Sequence, residues 1–194
     1  MFHIRNIEDF YKYKELLSKV CNQDCGLPNQ VFRKEFGCYL FNQFDNAMSD
    51  WGTLQQLASV SKDEYIVTAV LDPKPMEYYF KEFGYFNWIK FPKNIENNEY
   101  WNALELGPEN WPADSISNNS FTVVWFSPSM KWAIWGDRNY EVSILAFNNE
   151  EIFRSSLPFL KSWRKFDETV ISWLELAFRE LPVEIVKILK ANYY

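Results

Sequence analysis

The chain has 194 residues, of which 47% are hydrophobic and 24% charged, a globular composition that excludes an intrinsically disordered segment and allows a sizeable core. Its net charge is −6, and from Asn94 to Met130 there is no Lys or Arg, while Glu96, Glu99, Glu105, Glu109 and Asp114 all fall there. Such a field repels phosphate backbones, which argues against direct nucleic-acid binding, and no apolar run is long enough to span a bilayer, which argues against a membrane role.

In chain order, Asn6 is a helix N-cap followed by Glu8 and Asp9 in the first turn, and Ile7, Phe10, Tyr13, Leu16, Leu17 and Val20 form its apolar stripe. Cys21 to Gln30, with Gly26 and Pro28, breaks the pattern, and Val31 to Phe44 reads equally as strand or helical turn. Ser49 or Asp50 caps a short helix carrying Trp51, Leu54, Leu57 and Ala58. The β-branched run Glu64–Leu71 is a strand. Pro75 opens a helix that Gly84 ends, and Tyr85–Phe91 is strand-like again. Asn94 to Leu106 reads as a helix stopped by Gly107-Pro108, followed by a loop from Glu109 to Asn119.

Residues 121–147 read as an antiparallel meander. The first strand is apolar on both faces, which places it centrally in a sheet, and Ser127-Pro-Ser129 makes the first turn. In the second strand Trp132 and Ile134 face one way, Ala133 and Trp135 the other. The group Trp135, Gly136, Asp137, Arg138 and Glu141 forms the second turn, with Asp137 capping it, Gly and Asn supplying positive φ, and Arg138 pairing with Glu141 or a carboxylate of the tail. The tail is helical: Asn148 or Asn149 caps one segment, Asp167 a second, and Pro182 begins a third. Together these elements predict one α+β domain over residues 1–194, with the meander, further strands near 64–71 and 85–91, and a helical C-terminal tail.

Chemistry is thinly marked. His3, the single histidine, lies at what reads as a frayed terminus, so triads lack a placed base. The six glycines form no phosphate-binding motif. Cys21, Cys25 and Cys38 are too few and too far from a histidine for a zinc set, and read as free thiols of a reducing cytosol. The opening MFHIRNIEDF lacks an export pattern, so a cytoplasmic location is expected. Glu105, Glu109 and Asp114 beside Trp101 and Trp111 superficially suit glycosidase chemistry, but the Gly107-Pro108 break denies them a shared helical face. No catalytic residue, cofactor or metal is predicted.

Aromatics make up 19% of the chain, more than its core needs. Surplus Trp and Tyr at a surface favour a partner, and an acid-only stretch steers a basic one. The expected contact residues are Glu96, Glu99, Tyr100, Trp101, Glu105, Glu109, Trp111 and Asp114.

The run SPSMKWAIWGDRNYEVSILAF, with its Trp-Gly-acid-Arg turn before an apolar strand, resembles small acidic bacterial proteins of the immunity type, encoded beside polymorphic or contact-dependent toxins. That resemblance covers about 20 residues at 127–147. It implies inhibition of a cognate toxin by protein–protein binding, without a cofactor, and transfers no contact residue. The alternatives are a carbohydrate-binding or glycoside-acting protein using Trp101 and Trp111, and a homo-oligomeric structural or adaptor protein.

Overall fold

The computed structural model describes residues 2–194. Helix α1 (Ile7–Val20) is capped by Asn6, whose side chain accepts from Asp9 N. Strand β1 (Gly37–Gln43) leads directly into α2 (Phe44–Ser49) and α3 (Trp51–Ser61), the last capped by Asp50 accepting from Thr53 N. Strand β2 (Tyr65–Asp72) is followed by a π-helical turn at Pro75–Phe80 and one α turn, α4 (Lys81–Phe83), which Gly84 ends at φ +72°. Strand β3 (Trp88–Pro92), helix α5 (Asn97–Glu105) and two 3-10 turns at Pro108–Asn110 and Pro112–Asp114 complete the first half. Strands β4 (Thr122–Phe126), β5 (Trp132–Asp137) and β6 (Val142–Phe147) form the meander. Helices α6 (Glu150–Ser156), α7 (Glu168–Phe178) and α8 (Val183–Tyr193) follow, with Asn149 and Asp167 as side-chain caps. A cap of this kind contributes about 1 kcal/mol by satisfying an orphan helix N–H.

The protein is α+β, as its sequence indicates, with all six strands in one antiparallel sheet of order β1-β6-β5-β4-β2-β3. Four of the six strands are interior, so both faces must be apolar, and each is covered by helices. On one face Val67, Ala69, Val124, Phe126, Ala133 and Trp135 meet Phe10 and Leu17 of α1, Leu174 of α7 and Leu189 of α8. On the other, Ile66, Val70, Val123, Trp125, Trp132 and Ile134 meet α2, α3, α5 and α6. The predicted division of Trp132 and Ile134 from Ala133 and Trp135 is the one observed. Burial on this scale is the dominant stabilising term, at roughly 1.5–3 kcal/mol for each large apolar side chain.

Three details differ from the sequence reading. The ambiguous segment is strand β1, and β3 begins three residues later than the strand-like run, at Trp88. The N-terminus is not frayed. Phe2 to Ile4 lie along β3, with Lys90 N donating to Phe2 O (3.1 Å) and Ile4 N to Trp88 O (2.8 Å), which shields one sheet edge. His3 is consequently buried, 7% exposed, edge-on to Tyr85 at 5.2 Å. No described helix is long and apolar enough to cross a membrane.

Candidate functional site

The Trp135–Glu141 turn is built by backbone demands. Asp137, 6% exposed, accepts from Asn139 N (3.0 Å) and Tyr140 N (3.3 Å), the predicted capping role. Burial pushes its carboxyl up to about 6, against the pull of those two N–H donors. Positive φ falls on Glu141 (55°) rather than on Gly136 or Asn139. Gly136 is a glycine for a different reason: a Cβ there would lie 2.9 Å from Trp125 Cζ3 and 3.0 Å from both Phe44 Cε2 and Ser143 Oγ.

Arg138 does not pair with Glu141 or with the tail. Its Nε donates to Ser120 O (2.8 Å) and its Nη2 to Ser117 O (2.8 Å). Its guanidinium lies 4.6 Å from the Phe44 ring, and Nη1 is 3.6 Å from the Asp45 carboxylate. The side chain is therefore a strut, joining the β5–β6 turn to the loop before β4 and to the start of α2. Sequence distance hid this arrangement, since Asp45 precedes Arg138 by more than ninety residues.

The acid-rich segment divides into three fates. Glu96 and Glu99 form a capping box at the start of α5, with Glu96 N donating to Glu99 Oε2 at 3.0 Å, so both carboxylates serve the helix N-terminus. Tyr100 is wholly buried, stacked on Trp51 at 4.6 Å, with its hydroxyl donating to Met48 O (2.8 Å). It is a core residue, and its expected place at a contact surface is corrected. Burial raises its phenol well above the usual range. Asp114 is held internally too, accepting from Tyr78 Oη and Asn119 Nδ2 at 2.8 Å each.

Glu105, Glu109 and Trp111 are exposed, and Trp101 is half-buried. Trp111 is 66% exposed, and it alone of the nine tryptophans is in the exposed class. The loop that carries it is tightly specified. A Cβ on Gly107 would sit 1.7 Å from the Trp111 carbonyl oxygen, so only glycine permits that closure. Pro108 and Pro112 each open a 3-10 turn on either side, and Trp111 N donates to Pro108 O at 2.7 Å. Glu109 takes φ +52° between them.

These two segments meet in one cleft of about 710 Å³. Trp101 and Glu105 of α5 contribute one wall, Asp45 and Asn46 of α2 another, and Asn118 and Arg138 line it as well. Because Arg138 is already held by two carbonyls and a carboxylate, the outward chemistry is that of Asp45, Glu105, amides and an indole. That set suits a cationic or multiply hydroxylated group. Trp111, Glu96, Glu99 and Glu109 do not line the cleft.

Two polar features escaped the sequence reading. Asp63, 6% exposed, accepts from Ser61 Oγ, Ser127 Oγ and Ser129 Oγ at 2.6 Å each, and from Ser129 N at 2.9 Å. It ties the end of α3 to the β4–β5 turn, a buried carboxylate satisfied by hydroxyls rather than by a cation. The one sequence signal is Ser127-Pro-Ser129, whose composition indicates a turn. His3 has neither ring nitrogen hydrogen-bonded, and burial, with Arg5 adding to it, lowers its pKa to about 4. Among the described residues no group of three or more His, Cys, Asp or Glu side chains is placed to hold a metal ion. No family profile, curated protein or solved structure matches the chain.

Proposed function

We propose that this protein acts by docking a basic protein partner in the cytoplasm, as an immunity-type protein that neutralises a cognate toxin without catalysis. The observation that carries the reading is Trp111. A 66% exposed indole on a loop braced by Gly107, Pro108 and Pro112 is a preorganised anchor. Aromatic anchors of this kind supply much of the energy of protein interfaces. Glu105 just before the closure and Glu109 within it are exposed, in a stretch free of Lys and Arg. Their field raises the encounter rate with a basic surface and makes it salt-sensitive.

The test is binding to the product of the adjacent reading frame by surface plasmon resonance. Trp111→Ala is expected to raise Kd about thirtyfold or more, the loss of a hot spot worth at least about 2 kcal/mol. Glu105→Gln with Glu109→Gln is expected to slow association and flatten its salt dependence. Binding unmoved by all three changes rules out this surface. A second reading, glycan binding, draws on Trp101 beside Asp45, Asn46 and Asn118 in the cleft. It predicts retention on a glycan panel that Trp101→Ala abolishes and Trp111→Ala does not.

A further inference from the structure

A separate cavity of about 530 Å³ opens where the β1 edge of the sheet meets the C-terminal helices. Its origin is a break in strand pairing. Gly37 pairs with Phe147 and Leu40 with Leu145, so β1 holds two residues where β6 holds one, and the bulge swings Cys38 outward at φ +52°. Beyond the bulge the outer edge of β1 is closed by Arg164, whose backbone exchanges two hydrogen bonds with Phe41 (2.6 and 3.0 Å). That exchange delivers the next two residues, Lys165 and Phe166, to the cavity wall. The opposite wall comes from α8. Tyr193 accepts from Val31 N through its hydroxyl at 2.9 Å and donates to Asn29 O, and Asn192 Nδ2 donates to Pro28 O at 3.0 Å. Phe153 of α6, with Tyr39 and Tyr194, completes the lining.

The space is mostly apolar with a few polar groups at its rim. Leu40, Phe153, Phe166 and the ring of Tyr193 give it an apolar interior, and Lys165 is the one charged side chain in its lining. Lys165 is exposed and makes no ion pair among the described residues. A volume of about 530 Å³ lies within the roughly 300–1,000 Å³ of small-molecule sites, which are mostly apolar with a few orienting polar groups. We infer that this cavity is a binding site for a small amphipathic anion, its aromatic or aliphatic body among Phe153, Phe166 and Tyr193 and its carboxylate at Lys165 Nζ. The site shares no lining residue with the cleft that holds Arg138, so it stands independently of the docking function.

Cys38, in the cavity lining, provides the readout. It is the exposed thiol of the three, while Cys21 is buried, with its pKa pushed up to about 12, and Cys25 is partly buried. Alkylation of Cys38 by iodoacetamide, followed by mass spectrometry, is measured with phenylbutyrate and with its neutral analogue phenylbutanol at millimolar concentration. Phenylbutyrate is expected to slow Cys38 alkylation several-fold and phenylbutanol less. Lys165→Gln, a surface change that leaves the fold intact, is expected to weaken phenylbutyrate protection roughly two- to fivefold and leave the alcohol unaffected, as suits an exposed ion pair. An alkylation rate unchanged by either compound overturns the site. Equal protection by both, insensitive to Lys165→Gln, overturns the anionic ligand class.

Discussion

The meander of β4 to β6 and the segment from Glu96 to Asp114 are alike in sequence, each mixing tryptophans with a glycine and acidic residues, yet they dispose of their rings in opposite ways. Trp125, Trp132 and Trp135 are at most 1% exposed, whereas Trp101 is half-buried and Trp111 protrudes. Composition does not separate the two regions; backbone periodicity does. A strand alternates its side chains between two faces, and when helices cover both faces every ring is enclosed. The α5 segment has one inward stripe, filled by Tyr100 and Leu104, and then a chain reversal that turns its last tryptophan away from the core. Glycine plays opposite parts as well. Gly136 makes room for rings around a strand, and Gly107 lets a carbonyl approach so that a ring can be displayed.

The sharpest way to break this comparison is to delete a ring from the enclosed set. Trp125→Ala removes a fully buried side chain at the centre of the sheet and is expected to cost about 3–5 kcal/mol, read as a fall in the urea midpoint. A loss below about 1 kcal/mol would mean that the space collapses freely and that the meander is not the rigid centre of the molecule. Gly136→Ala is the complementary insertion. The added carbon would meet Trp125, Phe44 and Ser143 at 3.0 Å or less, and overpacking of that kind costs typically about 1–3 kcal/mol. A neutral or stabilising Gly136→Ala would show that those rings give way.

Protonation sharpens the contrast between the sheet edge and the meander turn, because the two buried titrating groups pull in opposite directions. His3, ordinarily near 6.5 and lowered to about 4, is more protonated in the unfolded chain across that interval. Its contribution therefore makes stability rise with pH from about 4 to 6.5. Asp137, ordinarily near 3.8 and raised to about 6, is more protonated in the folded chain, so its contribution makes stability fall as pH rises from 3.8 to 6. The two slopes offset each other in the wild type. Relative to it, Asp137→Asn is expected to gain stability as pH is raised from 4 to 6, and His3→Phe to lose it. Chemical denaturation at those pH values decides the matter, and equal pH profiles for both variants and the wild type would remove both assignments.

How much of this was legible in the sequence follows from the range of the interactions. Elements set by local rules were readable: the caps at Asn6 and Asp167, those at Asp50 and Asn149 to within one residue, the β-branched run of β2, and the face assignment of Trp132 to Trp135. Elements decided by distant partners were not. Tyr100 carries the helical inward phase that predicts burial, but its stacking on Trp51 and its bond to Met48 are tertiary facts. Arg138 was legible as the cation of a turn, while its partners Asp45, Ser117 and Ser120 lie on two other segments. His3 at the start of a chain carries no sign that β3 will enclose it. Of the expected contact residues, Glu96, Glu99, Glu105, Glu109 and Trp111 are exposed, Glu96 and Glu99 being committed to the α5 cap as well, while Tyr100 lies in the core and Asp114 is held by Tyr78 and Asn119.

The smallest expected effect belongs to the ring on which the docking reading depends. Trp111→Ala should change folding stability by no more than about 0.5 kcal/mol, the ordinary range for a surface substitution. The reason is geometric. What specifies the loop is the approach of the Trp111 carbonyl to Gly107 and the Trp111 N–H bond to Pro108, both backbone features that alanine retains. The indole itself, 66% exposed, has little apolar contact to lose in the free protein. On the docking reading, the ring contributes energy only once a partner covers it. If Trp111→Ala instead lowers stability by more than about 1 kcal/mol, the indole is a structural prop of the loop, and its exposure no longer argues for a partner.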